Sequence, residues 1–165
     1  MIVNPQNLIN NSVITFPSSI KIEDYIQPNG IDIDANRIYE LEFDSPPIIM
    51  NSDSYKPKPK LLAKENIIPL VQGWKLQKGK AYTFESSFNI NLPMFLSGEV
   101  VGRSTLNRHG VFIRSSWFDS GFKGTIGATI YCFNDIWIQE NARIAQVIVR
   151  MSETYNNYNG QYQQK

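Results

Sequence analysis

Apolar and polar residues alternate with a period of two along much of this chain. From Ala81 to Leu92 the positions Tyr82, Phe84, Phe88, Ile90 and Leu92 are apolar, while Thr83, Glu85, Asn89 and Asn91 are polar. A strand turns successive side chains to opposite faces, so this run predicts a strand with one face on a core. Tyr39, Leu41 and Phe43 alternate with Glu40 and Glu42 in the same way. Val111–Ile113, Thr125–Phe133 and Arg143–Arg150 are rich in β-branched and aromatic residues and read as further strands. The last contains Ile144-Ala-Gln-Val-Ile-Val149, nearly continuous and so expected to be buried on both faces, with Gln146 its one polar interruption. Gly and Pro punctuate these runs, as at Pro28-Asn-Gly30, Pro46-Pro47, Gly73, Gly79, Pro93, Gly98, Gly121 and Gly124. Many short strands between turns predict an all-β fold: an antiparallel sandwich, jelly roll or barrel. Only residues 5–12 are expected to form a short helix.

Two segments fall outside this pattern. Residues 51–60 end in Lys-Pro-Lys-Pro-Lys, where prolines lack the amide a central strand needs, and read as a solvated loop. The tail after Ser152 is polar and aromatic with no aliphatic residue, and needs something to dock on in order to be ordered.

Composition narrows the classes. At 165 residues, 42% hydrophobic and 19% charged, the chain fits one soluble globular domain. A net charge of +1 supplies no global field toward nucleic acid or anionic membrane, so any anion site must be built locally. No apolar run approaches the ~20 residues of a membrane helix. Cys132 is the only cysteine and His109 the only histidine, which excludes an internal disulfide and leaves almost nothing for a zinc site. With no signal-like start, the expected location is cytoplasmic.

The candidate chemistry lies in two neighbouring segments. Gly102-Arg-Ser-Thr-Leu-Asn-Arg-His-Gly110 brings together Arg103 and Arg108, forks suited to phosphate oxygens, with the hydroxyls of Ser104 and Thr105. Just downstream, Trp117-Phe-Asp-Ser-Gly-Phe-Lys-Gly124 holds a lone carboxylate, Asp119, in an apolar and glycine-rich setting. Asp119 reads either as a general base that orients a water or as a turn-initiating Asp, since Asp-Ser-Gly is good turn chemistry. Asp32 is similarly open: in a strand, an inward Asp would need a partner. His109 reads as structural and Cys132 as a core filler.

In order along the chain, Gly30-Ile-Asp-Ile33, the Gly102–Gly110 run, Trp117-Phe-Asp-Ser-Gly-Phe-Lys-Gly-Thr-Ile126 and Asn141-Ala-Arg-Ile-Ala-Gln-Val147 form a series. In this order and spacing it resembles the trimeric dUTPase and dCTP deaminase superfamily, from about residue 27 to the C-terminus. The resemblance implies a β-clip or distorted jelly roll, assembled as a homotrimer with active sites between subunits. It implies a single domain over residues 1–152, a tail over residues 153–165 that closes over the site, and Mg²⁺ held mainly by the substrate triphosphate and water. Carried over motif by motif, it gives Asp119 the catalytic role and gives Arg103, Ser104 and Thr105 the triphosphate, with Arg108 reaching in from a neighbouring subunit. Gln146 would support phosphate or water, Ser115, Ser116, Trp117 and Phe118 would read the base, and Phe122 would lie beneath the deoxyribose. Tyr155, Gln161, Tyr162 and Gln163 would contact substrate from the tail.

The ending Tyr158-Asn-Gly-Gln-Tyr-Gln-Gln164 and the pair Ser120-Gly121 are similar to the deaminase and bifunctional branch. Deamination there requires a glutamate ten residues beyond the motif Asp. In this chain that residue is Thr129, whose hydroxyl is no base at its normal pKa. The expectation is therefore dUTP hydrolysis to dUMP and pyrophosphate. The alternatives are a dCTP deaminase, alone or bifunctional, and a catalytically silent nucleotide-binding regulator.

Overall fold

The structure, a computed structural model, describes residues 1–42 and 59–160. It opens with a short helix α1 (Pro5–Asn10), whose N-terminus is capped by the Asn4 side chain accepting from the Gln6 amide at 2.9 Å. Thirteen strands follow among the described residues: β1 (Ile14–Thr15), β2 (Ile26–Gln27), β3 (Gly30–Asp34), β4 (Arg37–Glu40), β5 (Lys60–Leu61), β6 (Glu65–Ile68), β7 (Val71–Leu76), β8 (Ala81–Asn91), β9 (Leu96–Gly102), β10 (Val111–Arg114), β11 (Lys123–Cys132), β12 (Ile136–Gln139) and β13 (Arg143–Met151). A second helix, α2 (Ser104–Arg108), interrupts them.

The main sheet runs β2-β3-β13-β9-β10-β11-β8-β4-β5, antiparallel throughout, with β1 also on β8. A smaller sheet runs β12-β7-β6. The large sheet curls at β10, which pairs with β11 at four positions but meets β9 only where Arg114 faces Val101. This folds the β3–β13–β9 wing over the β8–β11 wing. Between them lies one core that includes Ile31, Ile33, Phe84, Phe88, Ile90, Val100, Ile126, Ile130, Val147 and Val149. The all-β expectation and the strand positions for β8, β10, β11 and β13 hold.

Three local expectations need correction. In β4 the fully buried residue is Ile38, while Tyr39 and Leu41 are only half-buried, so the core-facing phase is shifted by one. The Tyr39 hydroxyl instead donates to Glu85 at 3.0 Å, and Phe43 lies outside the described residues. β13 alternates rather than burying both faces: Val147 and Val149 are in the core and Gln146 and Ile148 are half-buried. α2 was not expected, because five residues are too few to reveal a helical period. It forms where Leu106 packs against the core and Arg103 serves as the N-cap. Of the proline-rich loop, residues 51–58 lie outside the described residues, and Lys60 opens the edge strand β5.

Candidate active site

The segments singled out by chemistry are joined by β9. At its C-terminal end β9 delivers Arg103, whose guanidinium donates to the Arg143 carbonyl at 3.1 Å and stands 3.8 Å from the Asp32 carboxylate. Asp32 faces Gln146 across the β3–β13 ladder, and Gln146 faces Val101 across β13–β9, so the sheet register itself gathers these residues. The Gln146 amide donates to Asp32 at 3.4 Å, Gln27 donates at 3.3 Å, and Arg143 stands 3.7 Å away. The inward Asp thus has the partners it needs. Burial pushes its carboxyl above the usual range, against the opposing pull of Arg103 and Arg143. Two arginines thus face Asp32, while Asp34 stands across the same ladder from Arg143. Ser104, Thr105 and Arg108 are exposed on α2, and the Arg108 side chain pairs with no described residue. His109 caps α2, its ring nitrogen 2.8 Å from the Thr105 carbonyl.

Alongside the other end of β9 runs the segment 115–118. The Val100 amide donates to Ser115 Oγ at 2.7 Å, and Phe118 and Gly98 exchange backbone hydrogen bonds of 2.7 and 2.9 Å. Both ends are pinned, while Ser116 and Trp117 give their amides to no described backbone group. Asp119 follows at once. Its carbonyl accepts from the Phe122 amide at 3.0 Å, closing a turn in which Gly121 takes φ +83°, a conformation suited to glycine. The turn reading is therefore right for the backbone. The carboxylate is left exposed and unpaired among the described residues, so it remains available for chemistry.

Around this turn the rings stack. Phe118 lies on Phe122 with centroids 5.3 Å apart and planes 13° apart, and Tyr158 meets Phe122 edge-on at 5.5 Å. The Phe122 ring covers Gly124, where an added Cβ would fall 2.8 Å from it. The tail docks here: the Tyr158 amide donates to the Ser120 carbonyl at 2.8 Å, and Asn157 packs on Gly121. Tyr155, by contrast, is 96% exposed and lines neither cavity described below. Gln161, Tyr162 and Gln163 lie outside the described residues.

A cavity of about 560 Å³ opens beside the turn. Ser115, Ser116, Trp117, Phe118, Asp119, Phe122 and Tyr158 line one side, and Thr83, Glu85, Thr125 and Thr129 of β8 and β11 the other. The register of β8 and β11 shifts between Thr125 and Gly127, an irregularity that breaks the regular pairing at this wall. A smaller polar cavity of about 310 Å³ lies on the far side of Asp119, between Ser97, Ser120 and the tail. Arg103, Ser104, Thr105, Arg108 and Gln146, the residues expected to contact phosphate, line neither.

Two members of the arrangement carried no assignment from sequence. Arg143 is visible in the Asn141–Val147 motif, but its contact with Asp32 depends on the β3–β13 register. Tyr158 stands among other tail aromatics, and nothing in the sequence distinguishes it from Tyr155. Among the described residues, no helix is long and apolar enough to cross a membrane, and no three His, Cys, Asp or Glu side chains gather as metal ligands.

A curated protein of Methanosarcina barkeri named probable deoxyuridine 5'-triphosphate nucleotidohydrolase is 28% identical, covering 96% of this chain and 92% of its own length. A Sulfurihydrogenibium protein named dCTP deaminase, dUMP-forming, is 33% identical over 84% of this chain and 77% of its own length. The crystal structure of 2'-deoxycytidine 5'-triphosphate deaminase from Agrobacterium tumefaciens shares the fold, with a TM-score of 0.67 at 16% identity. The match covers 92% of this chain and 48% of that one, so this chain spans about half the length of that solved structure. Residues 8–152 match the family described as dCTP deaminase-like, and the chain belongs to that family.

Proposed function

We propose that the chain hydrolyses dUTP to dUMP and pyrophosphate. Asp119 orients a water and takes its proton as the oxygen attacks the α-phosphorus; the bond to the bridging α–β oxygen breaks and pyrophosphate leaves. Arg103, Ser104, Thr105 and Arg108 grip the triphosphate, with Gln146 beside them. The free amides of Ser116 and Trp117 suit the uracil edge, and Phe122 forms an apolar floor for the deoxyribose. Residues 1–152 form the catalytic domain, and residues 153–165 close over the site. The observation that carries this reading is an Asp119 carboxylate, unpaired among the described residues, in a cavity whose opposite wall presents Thr129.

The sites are proposed to lie between subunits of a homotrimer. Gly98, beside Phe118, and Arg103 are five residues apart on an extended strand, or about 17 Å. None of the proposed grip residues lines a cavity beside Asp119 of the same chain, which supports a grip from a neighbouring copy completing the site. For Mg²⁺, the donor set fits phosphate oxygens rather than a dication, since Asp32 already faces two arginines and Glu85, which shares the cavity with Asp119, is held by Tyr39 and Arg37. The ion would arrive on the triphosphate, held by its oxygens and water, and would neutralise charge there.

The runner-up is dCTP deamination, favoured by the relatives named as dUMP-forming deaminases and by the Ser120-Gly121 pair. It lacks a glutamate at position 129. A silent nucleotide-binding protein is the third reading. Incubation with dUTP or with dCTP plus Mg²⁺, followed by chromatography of the products, separates them. The expected result is dUMP from dUTP with dCTP intact. Conversion of dCTP overturns the argument from Thr129, and inertness toward both nucleotides favours the binding protein.

A further inference from the structure

The side of β9 turned away from the core carries a carboxylate that the proposed reaction does not use. Glu99 alternates with core-facing Val100, yet its side chain is only 9% exposed, because two arginines cover it. Arg150 of β13 donates to one oxygen at 2.8 Å and Arg114 of β10 to the other at 3.2 Å. A carboxylate held this far out of water is stable only while its oxygens stay engaged. The two arginines differ in one respect. The Arg114 side chain is 71% exposed, whereas the Arg150 guanidinium lies over the Trp117 ring, 5.7 Å from its centroid.

Trp117 belongs to the segment pinned to β9 at Ser115 and Phe118, and it lines both cavities beside Asp119. Between the pins the backbone makes no ladder hydrogen bond, so its orientation depends on what holds the indole. We propose that Glu99, Arg150 and Trp117 form a positioning stack. Glu99 fixes the Arg150 guanidinium, and the guanidinium holds the indole so that the amides of Ser116 and Trp117 face the base. Arg150 is thus a positioning residue that acts through Trp117. This rests on reading residues 115–118 as the base-recognition segment.

The test compares R150M with R114M, since each removes one arginine from Glu99 but only the first takes the cation off the face of Trp117. R150M is expected to raise the dUTP KM about ten-fold with kcat nearly unchanged, the signature of lost uniform binding. R114M should stay within about two-fold of wild type, and R150K should recover most of the loss. In ligand-free protein, hydrogen exchange at the Phe118 amide should quicken in R150M and not in R114M. Equal effects of the two variants, or an unmoved KM and Phe118 exchange rate in R150M, overturn the proposal. If R150M does not fold, R150Q keeps a hydrogen bond to Glu99 and replaces it. Absence of dUTP turnover in wild type would defeat the functional reading, while the exchange comparison would still decide the stack.

Discussion

Around Arg103 the chain gathers charges on a sheet; around Asp119 it gathers rings on a turn. The grip is set by strand register: Asp32, Gln146 and Val101 stand in one row of three neighbouring strands. Its charged side chains already contact one another, with Asp32 drawing Arg103 and Arg143 together. The cavity is assembled otherwise. A glycine turn exposes Asp119, stacked Phe118 and Phe122 make the floor, and the last described residues of the tail supply the wall. The difference separates a charge cluster fixed by strand pairing from a cavity one wall of which depends on a docked tail.

Asp119→Asn should produce the largest effect. Turnover is expected to fall about 100- to 10,000-fold, the range for a lost general base, while binding of a non-hydrolysable dUTP analogue persists by calorimetry. Retained turnover would reduce Asp119 to its turn. Asp32→Ala tests the other region. It leaves Arg103 and Arg143 facing each other without their carboxylate, and should lower stability in urea by about 2 kcal/mol. That is less than for a fully buried pair, because both arginines remain partly solvated. An unchanged denaturation midpoint would mean that Asp32 does not preorganise the grip. Tyr158→Ala should have the smallest effect. Loss of the edge contact with Phe122 removes about 1 kcal/mol, frees the tail to limited proteolysis after Ser152, and raises the dUTP KM a few-fold. A tail as resistant as in wild type would show that other contacts hold it.

The two regions were also unequally legible in the sequence. Period-two alternation located β8 and β11 because one of their faces is buried and the other is not. The same rule misphased β4, whose outward Tyr39 is apolar in body yet spends its hydroxyl on Glu85. Arg103, Ser104, Thr105 and Asp119 could be picked out by residue type within short segments. The role of Asp32 could not, since its partners come from β2, β13 and the end of β9 and meet only through strand pairing. α2 was hidden by its length, and Tyr158 by its likeness to the other tail aromatics. Long-range register and docking of a polar tail leave no local periodic trace.

The plainest stretch between the two regions constrains the chain's history most. β9 contributes no residue to the proposed chemistry, yet its seven residues set how far the grip stands from the turn. A single deletion there would draw the two together by about 3.3 Å and turn every following side chain of the strand to the opposite face, sending Glu99 inward or Val100 outward. Substitutions between Leu96 and Gly102 are open to compensation, but changes in length are not. Tolerance to insertion and deletion should therefore be lowest in a segment with no catalytic residue in it.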